Sequence, residues 1–92
     1  MILHFRHKGL RQLFEKGDAR RLPPKDIDRL ENILAMLSQA RTPEDMDIPG
    51  FRLHALKGDY RGFWAITVRA NWRIVFRFAE DGIRDVDFVD YH

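Results

Sequence analysis

The sequence contains no cysteine. A chain without thiols forms no disulfide bonds, has no thiol nucleophile and offers no cysteine ligands for zinc. The sequence also lacks any apolar run near the roughly 20 residues that a membrane-spanning helix requires. Its opening, MILHFRHKGL, is too short and too interrupted for a signal peptide. These absences favour a cytoplasmic protein without a membrane partner.

Internal repeats, linkers and low-complexity tracts are missing as well, so the 92 residues predict one domain, residues 1–92. No glycine-rich phosphate loop follows a strand, and no G-x-S-x-G motif occurs, which argues against nucleotide binding and serine hydrolase chemistry. Hydrophobic residues make up 45% of the chain and charged residues 33%, values that are typical of a globular protein.

The net charge is only +2, but it is unevenly distributed along the chain. Residues 1–25 carry +5, residues 26–50 carry −4, residues 51–79 carry +5 and residues 80–92 carry −4. A basic segment such as 51–79 can form a binding surface for a polyanion. Alternatively, the basic and acidic segments neutralise each other across the folded surface. The charges alone favour neither interpretation.

Hydrophobic periodicity predicts the secondary structure. A short strand, ILHFRH, comes first, and apolar residues at helical spacing then predict a short helix that ends at Gly17. Pro24 suits the first turn of a second, longer helix. From Phe51 onward the period becomes two, which indicates four strands. We therefore expect an α+β fold, with the helices on one face of a mainly antiparallel sheet.

The alternation in the strands predicts which side chains share a face. A half-buried sheet places its apolar set toward the core, so Val68 and Trp72 must lie on the same face. This requires an odd connection, Arg69-Ala70-Asn71, and the next turn, AEDGI, is read the same way with Gly82 in a left-handed bulge. That register places Arg77 opposite Asp85. The core face then contains Phe51, Leu53, Ala55, Trp64, Ile66, Val68, Trp72, Ile74, Phe76 and Phe78.

The opposite, polar face collects residues with chemical potential. Arg73 is placed opposite Val89 by this register. His54, Arg69, Arg73 and Tyr91 are all expected on this face, and no acid lies opposite either Arg69 or Arg73. The parity of Asp90 and His92 differs from that of Tyr91, so the pattern leaves their direction undetermined.

These residue types suit the cleavage of RNA better than a metal site. Zinc needs three or four convergent ligands, and none are spaced for it, so we expect no metal and no cofactor. RNA carries its own nucleophile, the 2′-OH. An enzyme must supply a base, cations for the phosphorane and an acid for the leaving oxygen. Arg69 and Arg73 are candidate phosphate ligands, His92 and Asp90 are candidate acid and base, and Tyr91 can stack on a base.

Three motifs in this order give the sequence a specific resemblance. LHALKGD, VRANWRIVF and the final DYH are similar to motifs of the HigB family of bacterial toxins, within the RelE superfamily, and the resemblance extends over essentially the whole chain. It implies a RelE-like, microbial-ribonuclease-like fold and cleavage of mRNA in the A site of the 30S ribosomal subunit. It also implies neutralisation by a HigA-like helix-turn-helix antitoxin, with operator DNA bound only through the toxin–antitoxin complex.

The resemblance also implies roles for individual residues. The positions used for cleavage match His54, Arg69, Arg73, Asp90, Tyr91 and His92, and the positions near the mRNA match Lys57 and Asn71. Arg52 and Arg61 belong to the same basic segment and are further RNA-binding candidates. Which residue acts as the acid and which as the base stays open.

Three other functions are compatible with these residues. The chain could be a non-catalytic RNA-binding module, although Trp64, Trp72, Phe76 and Phe78 are predicted in the core rather than on a stacking surface. It could be an interaction protein that acts only through its helices. It could also be a ribonuclease that cleaves free RNA without ribosomes.

Overall fold

The fold is an α+β arrangement of two helices and a four-stranded antiparallel sheet, as a computed structural model shows for residues 1–91. The strands pair with one another in chain order. Both helices pack on one face of the sheet, which confirms the expected fold class. The elements are α1 (Lys8–Lys16), α2 (Ile27–Gln39), β1 (His54–Ala55), β2 (Trp64–Arg69), β3 (Trp72–Ala79) and β4 (Gly82–Asp90).

Helix α1 has a defined beginning and end. The Leu10 N–H donates to Nδ1 of His7, 3.2 Å away, so the imidazole caps the first turn. Burial lowers the pKa of His7, which favours the neutral ring that can accept this hydrogen bond. Gly17 ends the helix with a φ of 67°; its N–H donates to the Leu13 carbonyl at 3.0 Å, and the Asp18 N–H donates to the Gln12 carbonyl at 3.2 Å. The predicted end at Gly17 is confirmed.

Helix α2 begins slightly later than its sequence pattern suggests. Pro24–Asp26 forms a single 3₁₀ turn, and the α-helix follows from Ile27. One side of α2 is almost fully buried against the sheet, through Leu30, Ile33, Leu34 and Leu37. Neither helix in residues 1–91 is long and apolar enough to cross a bilayer.

The main core lies between the helices and the sheet. Phe76 is the largest of the fully buried side chains, with 0% exposure. Ile66 and Ile74 pair with each other across β2 and β3 and are equally buried. Trp64 and Trp72 pack on the edge of this core and are partly buried. The predicted direction of these core side chains is therefore confirmed.

The predicted first strand is wrong, because residues 2–5 form only two isolated bridges. Ile2 pairs with Ile83 and Phe5 pairs with Val86, in both cases parallel to β4. Gly82 makes room for this segment. A Cβ atom at Gly82 would lie 2.8 Å from the Met1 carbonyl oxygen. The backbone φ of Gly82, 146°, also favours glycine.

The turn between β2 and β3 differs from the predicted three-residue loop. Thr67 pairs with Arg73 as expected, but Arg69 pairs with Trp72, so only Ala70 and Asn71 form the loop. The extra residue lies within β2, where the register shifts between Thr67 and Arg69. Such a bulge bends the strand and reverses the alternation of side chains beyond it.

The turn between β3 and β4 shows the same kind of change. Ala79 pairs with Gly82, so this loop has two residues instead of the odd number that was predicted. The extra residue lies within β4, where Asp85 has a φ of 58°. Arg77 consequently pairs with Arg84, which corrects the predicted pairing with Asp85.

Asp85 nevertheless binds Arg77, and it also anchors the N-terminal segment. The Arg77 Nε lies 2.5 Å from one carboxylate oxygen, and the other oxygen lies 3.0 Å from Nδ1 of His4 and 3.5 Å from Nε of Arg6. The Arg77 hydrogen bond and the nearby cations lower the pKa of Asp85. The Asp85 side chain is only 16% exposed, so this carboxylate on β4 links β3 to the N-terminal segment.

Asp85→Asn is expected to lower the free energy of unfolding by about 1 to 2 kcal/mol near neutral pH, since the amide cannot replace a carboxylate among these cations. The native pKa of Asp85 is below its unfolded value. Its contribution is therefore complete above roughly pH 4 and is lost as the pH falls through the native pKa. Urea unfolding at pH 7 and at pH 3 measures both effects. Asp47→Asn, at an exposed carboxylate, is the control, and equal losses in the two variants would contradict the assignment.

Candidate active site

The sheet face that is turned away from the helices carries a second, smaller apolar cluster. Its buried members are Leu56, Phe63, Ala65 and Val75, and we call this surface the open face. Strand alternation had placed Phe63, Ala65 and Val75 on a polar face, so sequence reasoning missed the cluster. The available signal was that β2 and β3 carry apolar residues at both parities, which is typical of strands covered on both faces.

His54 lies on the open face at the exposed end of the sheet. It belongs to β1 and pairs with Ala65, a member of the open-face cluster, which confirms the face that its parity predicted. Its Nδ1 lies 2.8 Å from the carbonyl oxygen of Arg52, and a carbonyl only accepts, so Nδ1 carries the proton. Nε2 is then the nitrogen that can take up or release a proton. Arg52 has a φ of 54°, a left-handed backbone conformation that belongs to this arrangement.

Arg73 reaches the open face from β3. It is placed between Thr67 on β2 and Val89 on β4, which confirms the predicted register. Its Nη1 donates to the carbonyl of Ala70 at 2.5 Å and lies 3.3 Å from that of Trp72. None of the ion pairs between described residues involves Arg73, and within the same residues its buried Nε has no hydrogen-bond partner. The Arg73 side chain is thus oriented by two backbone carbonyls.

Tyr91 packs beside these residues through its ring and its backbone. The Tyr91 N–H donates to the Asn71 carbonyl at 2.8 Å, which joins the end of β4 to the β2–β3 turn. Its ring meets Tyr60 edge to face with a centroid distance of 5.8 Å, and Tyr60 meets Phe63 in the same way at 5.5 Å. The three rings form an aromatic row on the open face. Arg6 extends it, with its guanidinium carbon 5.1 Å from the Phe63 ring centroid.

Arg69 does not join Arg73 on the open face, which corrects the sequence-based prediction. The bulge in β2 turns Arg69 to the parity of Trp72, which packs against the helix-facing core. There its Nε and Nη2 donate to the two oxygens of Asp26, at 3.0 and 3.1 Å. These hydrogen bonds raise the pKa of Arg69. Arg69 therefore has an acidic partner. The strand register could not reveal this partner, because Asp26 lies outside the sheet, directly before α2.

Asp90 lies in the same cross-strand row as Arg69 and Trp72, because it pairs with Trp72 across β3 and β4. Its backbone position therefore differs in parity from that of Tyr91, as the alternation predicted. His92 lies outside the described residues, so its place relative to the other candidates stays a prediction from the motif.

Four further RNA-binding candidates have exposed side chains. They are Arg52, Lys57, Arg61 and Asn71. Lys57 and Arg61 flank the 3₁₀ turn Gly58–Tyr60, whose tyrosine contacts Tyr91. The turn thus places two cations beside the aromatic row, in an arrangement suited to the phosphates and bases of single-stranded RNA.

The chemistry available on the open face comprises proton transfer, charge stabilisation and stacking. His54 offers an imidazole that can donate or accept a proton, Arg73 offers a planar cation that binds phosphate in bidentate fashion, and Tyr91 offers a phenol and a ring. Within residues 1–91, no three His, Asp or Glu side chains approach closely enough to hold a metal ion. The expectation of a reaction without metal stays a prediction.

Comparison with known proteins gives a consistent result over the full length of the chain. Residues 3–92 match the family model for the RelE-like toxin of the type II toxin–antitoxin system HigB. The chain is 44% identical over 92 residues to Endoribonuclease HigB of Proteus vulgaris, which covers all of both proteins. It is 33% identical over 94 residues to Toxin HigB-1 of Vibrio cholerae serotype O1, covering all of this chain and 98% of that toxin.

Proposed function

Because the chain belongs to the HigB-like toxins of type II toxin–antitoxin systems, we propose that it is an endoribonuclease that cleaves mRNA in the ribosomal A site. The observation that carries this proposal is the shared placement of His54, Arg73 and Tyr91 on the open face. These side chains supply what cleavage by an internal 2′-OH requires, and the name of the Proteus relative supports the same reaction.

The reaction begins when a base removes the proton from a ribose 2′-OH. The oxygen attacks the adjacent phosphorus, and the pentacovalent phosphorane gains negative charge that Arg73 stabilises. An acid then protonates the leaving 5′ oxygen, which gives a 2′,3′-cyclic phosphate and a 5′-OH. We assign proton transfer to His54, Asp90 and His92 as a group. Tyr91 orients the phosphate or stacks on a base, and no metal ion takes part.

The exposure of this surface supports a dependence on the ribosome. His54 is exposed, and the partly buried Tyr91 packs on the open face. A flexible RNA bound to such a face keeps many conformations, and few of them align the 2′-OH with the leaving oxygen. The decoding site holds the mRNA codon in a fixed shape and can supply this alignment. The exposed side chains of Arg52, Lys57, Arg61 and Asn71 then bind mRNA and ribosomal RNA.

A single cleavage experiment tests substrate, nucleophile and ribosome dependence together. End-labelled mRNA is incubated with the protein alone and on programmed ribosomes, and a second mRNA carries one 2′-deoxynucleotide at the cleaved position. We expect cleavage only on ribosomes, a cyclic phosphate end and no cleavage at the deoxynucleotide. Equal cleavage of free RNA would identify a ribosome-independent ribonuclease. Binding without any cleavage would identify an RNA-binding module, and a 5′-phosphate product would exclude 2′-OH attack.

The family also implies an antitoxin partner, since its members act in two-component systems. We propose a HigA-like helix-turn-helix antitoxin that neutralises the toxin in the cytoplasm. In this proposal operator DNA is bound only by the toxin–antitoxin complex. An electrophoretic shift of the operator by the purified complex, without a shift by the toxin alone, is the expected result.

A further inference from the structure

Asp26 is the buried charged residue of this fold, the single one within residues 1–91, with 3% of its surface exposed. It is the last residue of the 3₁₀ turn that leads into α2. Buried carboxylates are costly unless they are paired and hydrogen-bonded. Here both carboxylate oxygens accept hydrogen bonds from the Arg69 guanidinium, at 3.0 and 3.1 Å. The pair joins the helical layer to the end of β2.

Asp26 binds Arg69 from a position where an aspartate usually has a different hydrogen-bond partner. Asp26 occupies the N-cap of α2, where an aspartate ordinarily accepts a hydrogen bond from the first helical N–H groups. No such hydrogen bond forms, because both oxygens point to Arg69. The helix therefore lacks a side-chain cap that its own sequence could supply, and the carboxylate instead fixes a residue of the sheet.

The segment held by this pair is the β2–β3 turn, and the turn contacts two candidate catalytic residues directly. The Ala70 carbonyl accepts from Nη1 of Arg73 at 2.5 Å. The Asn71 carbonyl accepts from the Tyr91 N–H at 2.8 Å. Ala70 has a φ of 50°, a left-handed conformation that is unfavourable for alanine and needs support from its surroundings.

We infer that Asp26 is a positioning residue for RNA cleavage. It holds Arg69, Arg69 fixes the β2–β3 turn, and the turn orients the Arg73 guanidinium and the Tyr91 backbone on the opposite face of the sheet. This inference rests on the proposed ribonuclease activity. In this inference Arg69 acts from the helix-facing side of the sheet, where it fixes the β2–β3 turn. Asp26 acts without touching the RNA.

The test compares Asp26→Asn, Arg69→Gln and the double variant with wild type, using multiple-turnover cleavage on programmed ribosomes. The asparagine has the same shape but cannot accept both hydrogen bonds from the guanidinium. We expect kcat to fall about tenfold to a hundredfold, as for other small misplacements of catalytic groups, while KM changes less than about threefold. The double variant should be no slower than the slower single variant, since both changes break the same link.

A matched control exists on the surface. Asp18 binds Arg20 through both carboxylate oxygens in a similar way, but Arg20 is 88% exposed and the pair lies outside the turn. Asp18→Asn should leave kcat and KM unchanged. Assays run well below the midpoint of thermal unfolding of every variant, so that loss of folded protein does not contribute to the measured rate.

Hydrogen exchange at the Tyr91 amide gives a readout that needs no ribosome. If the pair fixes the turn, Asp26→Asn should accelerate exchange at this amide by about tenfold or more, whereas amides in the middle of β3 should keep their rates. Uniform acceleration across the sheet, or a change in KM with kcat unchanged, would overturn the inference. Failure of wild type to cleave RNA would refute the proposed function, and a Tyr91 amide that stays protected in Asp26→Asn would refute the coupling through the turn.

Discussion

Replacing Arg73 with alanine is expected to lower the rate of mRNA cleavage on ribosomes by a factor of about 10² to 10³, the usual effect of removing one group that stabilises transition-state charge. Arg73 is the arginine that the β2–β3 and β3–β4 registers bring to the row of Thr67 and Val89 on the open face. Its guanidinium is held by the Ala70 carbonyl, so it needs little reorganisation when the phosphorane forms. The loss should therefore appear in kcat.

Two further variants make this result specific. Arg73→Lys keeps the charge but loses the planar fork, so we expect it to recover only part of the activity. Arg77→Ala removes an arginine from the same strand, four residues away, whose partner is Asp85. It should reduce stability but leave the rate per folded molecule unchanged. If Arg73→Ala and Arg77→Ala slow cleavage equally, Arg73 does not stabilise the transition state.

Phe76→Ala is expected to lower the free energy of unfolding by about 3 to 5 kcal/mol, since it combines the loss of a large buried ring with the cavity that remains. Phe76 is fully buried between the helices and the sheet, and its ring contacts Phe78 at a centroid distance of 5.9 Å. Domains are generally stable by only about 5 to 15 kcal/mol. A large share of the variant should therefore be unfolded well below the melting temperature of wild type.

Urea unfolding followed by tryptophan fluorescence measures this effect, because Trp64 and Trp72 lie at the edge of the same core. Phe14→Ala is the matched control. This ring is 39% exposed on α1, and its removal should cost no more than about 1 kcal/mol. Similar losses for Phe76→Ala and Phe14→Ala would show that the core does not depend on Phe76.

The helices and the pairing of the long strands could be read from the sequence, because each rests on a local period. The stripe on α2 and the pairs of Ile74 with Phe88 and Arg73 with Val89 follow from burial of one face. What parity cannot reveal is where an extra residue is accommodated. Both hairpins were expected to place it in the loop, and both place it as a bulge within a strand, beside Arg69 and at Asp85.

The same limitation explains what was right and wrong at the candidate site. His54, Arg73 and Tyr91 share the open face, as alternation predicted, since no bulge separates them from their neighbours in the sheet. Arg69 was placed wrongly because the bulge reverses its direction. Its partner, Asp26, is 43 residues earlier in the sequence, and no periodic pattern connects a helix start with a turn of the sheet.

The two parallel bridges between residues 2–5 and β4 also determine the order in which parts of the fold can form during synthesis. Ile2 and Ile83 are 81 residues apart in sequence, and Phe5 and Val86 are equally distant. A chain is made from its N-terminus, so residues 2–5 leave the ribosomal tunnel early and have no partner until β4 follows them. Tyr91 emerges later still. The helices and the first hairpin can therefore form while the open face is incomplete, and a nascent chain of this protein acquires its candidate cleavage surface only after β4 and Tyr91 have been translated.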